Sequence, residues 1–405
     1  MKIADIKLER IKGQAEGHWH EWEEAFVRPL AIYPEFQPAA EEGVNREFDG
    51  PLEVDQIFLT VTTDEGLTGL HGPISRLTAF IVETELKGFL IGRDPLEGDL
   101  LWEQMSRLGY AGRRGDWWAA VGAVDIALWD VRGKAAGKPV YELLGGAWRQ
   151  SIPAGASFAG FSVSPELLRK RALEFRDAGF ARQKWFFRYG PGSGHEGMKK
   201  NIAHAQTLRE TLGPDYVLGF DVLTGWDLPY AIKICRELKK LDIAWLEEPL
   251  PVNALADHVK LHQETGIPLS CGEHLFTLDE VQPWLDAGIL EILQVDIGWT
   301  GGITEAMRII KAAARTGVKI VPHGVSLPAA LQVLATLPLE IDTFASHVTF
   351  CAERETLLLK NPPPIEQGAY ALPAGPGFGI GLDETRIRSR TELRPSNTAT
   401  QRIEL

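Results

Sequence analysis

From Ser151 to about Glu353 the chain repeats one unit, a short apolar run followed by an amphipathic stretch of helical length. The candidate strands are Ile152–Phe158, Ala181–Phe187, Tyr216–Val222, Ala244–Glu248, Leu269–Glu273, Ile292–Ile297, Lys319–His323 and Val348–Glu353. Between them lie amphipathic segments such as Lys199–Leu212, Leu228–Leu241 and Thr304–Thr316. Eight such units, recurring about every 25–35 residues, fit a closed (β/α)8 barrel better than an open doubly wound sheet.

The flanking sequence has a different texture. Residues 1 to 135 read as a smaller α+β unit, with strands at Ile3–Ile11 and Ile57–Thr63 and a turn at Asp64-Glu65-Gly66. Helical periodicity follows in Thr78–Ile91, Leu96–Leu108 and Trp117–Ala136, where Val121, Val124, Leu128 and Val131 recur at three- or four-residue spacing. Between the first two strands lies Gly13–Leu52, an irregular stretch carrying His18, Trp19, His20, Trp22 and Arg46. A loop of that length predicts a lid or a binding loop, and its aromatic residues argue against disorder. The expected division is a capping domain at 1–135, a barrel at 136–360, and a Pro- and Gly-rich segment at 361–405 returning to the capping domain.

Composition excludes several function classes. With 42 Lys+Arg against 55 Asp+Glu the net charge is −13, which disfavours nucleic-acid and polybasic membrane partners. No run reaches the roughly 18 apolar residues of a membrane span, and the N-terminal stretch lacks the apolar core of a secretory signal. Cys235, Cys271 and Cys351 are too few and scattered for a disulfide framework. A cytoplasmic address is expected.

The candidate strands end in chemistry. Lys184 lies within the second; Asp221, Glu247, Glu273 and Asp296 close the third to sixth; His323 closes the seventh and Glu353 the eighth. In a barrel these ends converge on one mouth. One charged residue at a strand end usually marks only a solvated loop start. Six in succession point to a site, with ion-pair bracing of the rim as the structural alternative.

Asp221, Glu247 and Glu273 offer hard oxygen ligands suited to Mg²⁺ (or Mn²⁺) rather than Zn²⁺. Gathered without a cation, three carboxylates repel and raise one another's pKa. Glu248 is the neighbouring alternative to Glu247; strand alternation lets one of the two face the centre, and Glu247 is assigned. Asp296 and His323 end neighbouring strands, so the carboxylate can fix the imidazole tautomer and leave its other nitrogen as general base or acid. The run Gly192-Ser-Gly194-His-Glu-Gly197 spells G-x-G-x-x-G, the dinucleotide fingerprint. Its preceding strand is bulky and polar and Pro191 interrupts the turn, so these glycines are expected to form a mobile loop over the mouth.

Several motifs together resemble the enolase superfamily, mandelate racemase subgroup. They are the segment from Val124 to Gly146 (VDIALWDVRGKAAGKPVYELLGG), Trp245-Leu-Glu-Glu-Pro249, Gly272-Glu273, Asp296 with Gly301-Gly302, and Pro322-His323-Gly324. The resemblance spans nearly the whole chain. It implies a modified (β/α)8 TIM barrel with an α+β N-terminal capping domain, and one Mg²⁺ held by Asp221, Glu247 and Glu273. It further implies abstraction of the proton α to a carboxylate, with His323–Asp296 as the catalytic dyad and Glu353 as the acid that hydrogen-bonds the enediolate.

Racemases of this kind carry Lys-x-Lys on the second barrel strand, whereas this chain has Lys184-Trp185-Phe186. Lys184 and Phe186 share a face, so Phe186 stands where a second base would act. That favours one-base syn dehydration, in which His323 removes the α proton and then protonates the departing 3-hydroxyl, while Lys184 neutralises the substrate carboxylate. Gly272-Glu-His274, Asp296-Ile-Gly-Trp-Thr-Gly-Gly302, Pro376-Gly-Phe-Gly379 and the His18-Trp19 and Arg46 region are similar to acid-sugar dehydratases of the L-rhamnonate dehydratase kind. This resemblance implies a small-molecule sugar-acid substrate, with His18, Arg46 and His274 as contacts, and a homo-oligomer. A cycloisomerase or epimerase on the same metal site, and a non-catalytic sugar-acid binder, are the alternatives.

Overall fold

The computed structural model describes residues 1–37, 47–112 and 114–394. Its first unit is a four-stranded antiparallel sheet. β1 (Ile3–His20) and β2 (Glu47–Thr63) form a long hairpin ladder with Ile3 opposite Thr63 and His20 opposite Glu47. β3 (Thr68–Ile74) pairs with β2, and a strand far along the chain, Ile387–Glu392, pairs with the other edge of β1. Alternation places Ile6 and Leu8 of β1 and Leu59 and Val61 of β2 in the core. There they meet the helix Asp116–Ala136, whose Val121, Val124, Leu128 and Val131 are fully buried. At Gly69 a Cβ would lie 2.0 Å from the Ala127 carbonyl oxygen, so only glycine lets strand and helix approach this closely.

Both ends of the expected irregular stretch Gly13–Leu52 are therefore strand and not loop. Gly13–His20 and Glu47–Leu52 continue the hairpin strands. Gly13 and Gly17 read as strand breakers in sequence. The ladder survives because it packs on neighbouring elements rather than on its own helix: a Cβ on Gly13 would meet Leu358 and the Arg386 backbone.

The second unit is a barrel of parallel strands: β4 (Ser151–Ser157), β5 (Arg182–Phe186), β6 (Val217–Asp221), β7 (Trp245–Glu247), β8 (Leu269–Cys271), β9 (Leu290–Leu293), β10 (Lys319–Ile320) and β11 (Ala345–Val348). β11 pairs with β4 and an Ile320–Thr343 bridge closes the ring. Each strand is followed by a helix. Layered aromatic side chains pack between strands and helices, with Phe158 stacked on Trp185 at 4.0 Å and Phe187 on Phe220 at 4.6 Å. Among the described residues no helix is long and apolar enough to cross a membrane.

Four expected strand ends shift. β8 stops at Cys271, so Glu273 lies two residues beyond it. β9 stops at Leu293 and β10 at Ile320, so Asp296 and His323 each lie three residues beyond a strand, on the loops at the mouth. The segment Val348–Glu353 is not a strand; the chain turns at Val348 into the helix Thr349–Thr356, which carries Glu353. Thr349 and Phe350 mimic a strand because their β-prone side chains are buried at the first helical turn.

Candidate active site

Parallel register fixes the floor of the site. Phe186, Asp221 and Glu247 are register partners across β5, β6 and β7, and Lys184 lies one inward position below Phe186. The lysine stem rises to this layer and its Nζ donates to Asp221 Oδ2 at 3.0 Å and Glu247 Oε1 at 2.7 Å. Burial works against the ammonium, but the charges of Asp221, Glu247 and Glu273 outweigh it and hold the lysine above its ordinary pKa. Burial raises the Glu247 carboxyl, and repulsion from Asp221 adds to it. Glu273 is raised by burial as well, with His323 opposing. Gln294 also donates to Glu247.

The loops after β9 and β10 bring the dyad together. His323 Nδ1 lies 2.7 Å from Asp296 Oδ2, and the Trp299 amide holds Asp296 Oδ1 at 2.8 Å. Asp296 is fully buried and oriented from both sides. His323 Nε2 points to Glu273 Oε2 at 3.2 Å, so the dyad faces the carboxylates. Burial disfavours the imidazolium, but Glu273 and Asp296 together push its pKa up to about 10.

The doublet Glu247-Glu248 divides as alternation requires. Glu248, at a left-handed φ of 36°, turns its carboxylate to His274 Nδ1 at 2.7 Å. Burial opposes protonation of His274, but this hydrogen bond and the negative charges of Glu248 and Glu273 together outweigh it and lift the imidazole to about 9. Ligand atoms of Glu248, Glu273 and His274 lie within 4.8 Å of one another, a second acidic grouping beside the first.

The early segment reaches the barrel through residues the motif reading passed over. His18 is exposed and pairs with Asp49 at 3.0 Å, away from the dyad. Arg46 lies outside the described residues. His20 instead reaches inward, its Nδ1 3.1 Å from Glu353 Oε1, so Glu353 is held by the hairpin. Beyond it the chain is clamped across the ends of β4 and β5. The amides of Glu23 and Glu24 donate to the Gly160 carbonyl at 2.8 and 2.9 Å, and that of Val27 to Phe187 at 2.8 Å. Buried Arg171 donates to Glu23 Oε1 at 2.8 Å and also to Glu47, while buried Arg188 donates to Glu24. This seats Phe26 on Phe186 at 4.9 Å and Trp22 on Phe350 at 5.8 Å, giving the face opposite the dyad an apolar wall. The sequence signal for the clamp was Glu23-Glu24 inside an aromatic run, which reads as solvated charge until its arginines are seen. Likewise Gly192 packs on Gln37 and Tyr33, and Ser193 donates to Gln37, so the glycine run is pinned to the early segment.

Comparison with known proteins supplies the lineage. Residues 167–386 match the enolase C-terminal domain-like family, and residues 52–145 match the mandelate racemase / muconate lactonizing enzyme N-terminal domain. The chain belongs to the enolase superfamily. It is 31% identical over 408 residues to an L-rhamnonate dehydratase of Saccharopolyspora erythraea, covering 97% of this chain and 98% of that one. A mandelate racemase/muconate lactonizing protein of Paracoccus denitrificans, solved in complex with magnesium, is 28% identical, with 97% of this chain and 99% of that chain covered and a TM-score of 0.75. The L-rhamnonate dehydratase structure from Gibberella zeae superposes with a TM-score of 0.81 over 99% of this chain and 98% of its own; at 24% identity that likeness speaks for the fold alone. The two-domain enolase-superfamily architecture, an α+β cap over a barrel, is thus shared.

Proposed function

We propose that this enolase-superfamily member is a Mg²⁺-dependent acid-sugar dehydratase. It removes the C2 proton of an aldonate and eliminates the 3-hydroxyl to give a 2-keto-3-deoxy acid, with an L-rhamnonate-like substrate. The observation that carries the reading is the asymmetry of the mouth: the His323–Asp296 dyad on one side and Phe186 under Phe26 on the other. A site with one base and an apolar opposite wall exchanges a proton from one face, which suits elimination and not racemisation.

Asp221, Glu247 and Glu273 fit Mg²⁺. All three are buried, all offer carboxylate oxygen, and Lys184, His323 and His274 are the cations within reach among the described residues. Bound there, Mg²⁺ supplies positive charge against the developing enediolate oxygens. The chain's own residues do the rest. Asp296 holds the Nδ1–H of His323, leaving Nε2 to take the α proton. Lys184 sets an ammonium beside the same carboxylates, where it neutralises the substrate carboxylate. The clamped segment excludes water from the Phe186 side. Support comes also from the Saccharopolyspora relative's name and from magnesium in the Paracoccus structure.

The test is a panel of aldonates screened for 2-keto acid formation with Mg²⁺ and with the metal chelated. An L-rhamnonate-like aldonate is expected to react only with metal. Formation of a C2 epimer in place of 2-keto acid would overturn the reading.

A further inference from the structure

The run Cys351-Ala-Glu353-Arg-Glu355 places two carboxylic acids on one helix, two residues apart. Residues so spaced do not share a helix face. Glu353 turns to the hairpin, where the His20 amide and ring hold both of its oxygens. Glu355 turns the other way. It makes no hydrogen bond or ion pair among the described residues. It lines two cavities: one of about 450 Å³, shared with His274, Trp299 and Ser326, and one of about 300 Å³ with Trp22 and Phe350. A carboxyl between two cavities, unengaged and beside the dyad, is placed to meet a ligand rather than to brace the fold.

We propose that Glu355 is the acid that protonates the departing hydroxyl, a task separate from the base role of His323. The proposal rests on the dehydratase reading above. Burial, reinforced by the charge of Asp296, pushes the Glu355 carboxyl up to about 8, so it carries its proton at neutral pH. By contrast, Glu353 cannot donate without surrendering His20.

The step balances as follows. His323 Nε2 takes the C2 proton and becomes imidazolium. The enediolate electron pair then forms the C2–C3 double bond as the C3–O bond breaks. The leaving oxygen takes the Glu355 carboxyl proton and departs as water, leaving the Glu355 carboxylate. The enol tautomerises to the 2-keto acid by taking a proton at C3 and releasing its 2-hydroxyl proton to solvent, and Glu355 recovers its proton from solvent through the larger cavity, while His323 returns its own to solvent.

The experiment uses the Mg²⁺-loaded full chain with three variants and two substrates. Glu355→Gln should lose dehydration of the aldonate by about 10²–10⁴-fold, the usual contribution of a general acid. It should keep exchange of the C2 hydrogen in D2O, since His323 is untouched. The 3-deoxy-3-fluoro analogue needs no proton on its leaving group, so Glu355→Gln should release fluoride within a few-fold of the unaltered enzyme. Glu355→Asp should recover part of the aldonate activity, whereas Glu353→Gln should not reproduce the split between the two substrates. Equal loss on both substrates, or aldonate dehydration by Glu355→Gln within about fivefold of normal, would overturn the assignment while leaving the dehydratase reading intact. If the unaltered enzyme dehydrates no aldonate, the dehydratase reading fails and this assignment fails with it.

Discussion

Replacing Arg171 by Met tests whether the early segment is a fixed wall or a free lid. Arg171 is wholly buried on the helix Pro165–Asp177 and touches three carboxylates of unequal exposure. Glu174 is 46% exposed and hydrates freely when released. Glu47, at 18%, keeps Lys170 at 3.7 Å. Glu23, at 1%, keeps among the described residues only the Ser162 amide at 2.8 Å. The loss therefore falls on Glu23, a carboxylate left in low dielectric without its cation, and breaking such a pair costs about 3–5 kcal/mol. That is a large share of the roughly 5–15 kcal/mol that holds a domain together. The cost should appear first as local opening, because the Glu23, Glu24 and Val27 amides bond to Gly160 and Phe187 just beneath the pair. Hydrogen exchange at these three amides should accelerate by about two to three orders of magnitude, and kcat/KM should fall as Phe26 lifts from Phe186. Adding Glu23→Gln should recover most of the loss, since the orphaned charge is then gone. Unchanged protection at the three amides, with a stability loss below about 1 kcal/mol by urea unfolding, would refute the reasoning.

Glu273→Gln should weaken Mg²⁺ binding by at least tenfold in calorimetry, because an oxygen-ligated ion loses one of three anionic ligands. His323→Asn should lower kcat by about 10²–10⁴-fold by removing the proton acceptor, and Asp296→Asn should do less but still severe harm, as the imidazole loses the partner at 2.7 Å that fixes it; both are read by steady-state kinetics. Acid should destabilise the fold through buried neutral histidines. Burial lowers His71 to about 4 and His204 to about 3, against 6.5 when unfolded. Both are neutral in either state well above pH 6.5, so stability is full there. As pH falls below 6.5 the unfolded chain takes up protons the folded one refuses, and stability drops until pH approaches the folded values. Between pH 7 and 5 the loss should be about 2 kcal/mol per histidine by urea unfolding, and His204→Phe should remove its share.

The barrel was legible because its signal is redundant: each unit repeats the same alternation of apolar run and amphipathic stretch, so no single boundary matters. The carboxylates and the dyad were legible for a related reason. Strand ends converge in space, so Asp221, Glu247, Glu273, Asp296 and His323 could be gathered from spacing alone. The hairpin beyond Gly13 was hidden because its support comes from Leu358 and Arg386, hundreds of residues away. Position on the helix after β11 was hidden as well, since Val348-Thr349-Phe350 carries strand-like residues, and with it the opposite facing of Glu353 and Glu355. His18 drew notice beside Trp19; the strand's two-residue period sets it on the same face as His20, whose ring it meets edge-on at 5.9 Å, but His20 lies one step nearer the barrel and reaches Glu353 while His18 stays exposed beside Asp49.

The pairing of Ile387–Glu392 with β1 has a consequence for biosynthesis. A ribosome adding about 5–20 residues per second needs roughly 20–80 s to travel from β1 to the strand that covers its outer edge. All the barrel strands through Val348 are made in that interval. For that time the hairpin has one unpaired edge, the kind of surface on which strands of other chains add. The Leu393 amide, which bonds to the Leu8 carbonyl at 2.8 Å, comes just after the covering strand. A nascent chain stalled shortly before Ile387 would hold the sequence of every proposed catalytic group and yet lack the edge strand of its cap, so stalling there should yield aggregates in place of slow enzyme.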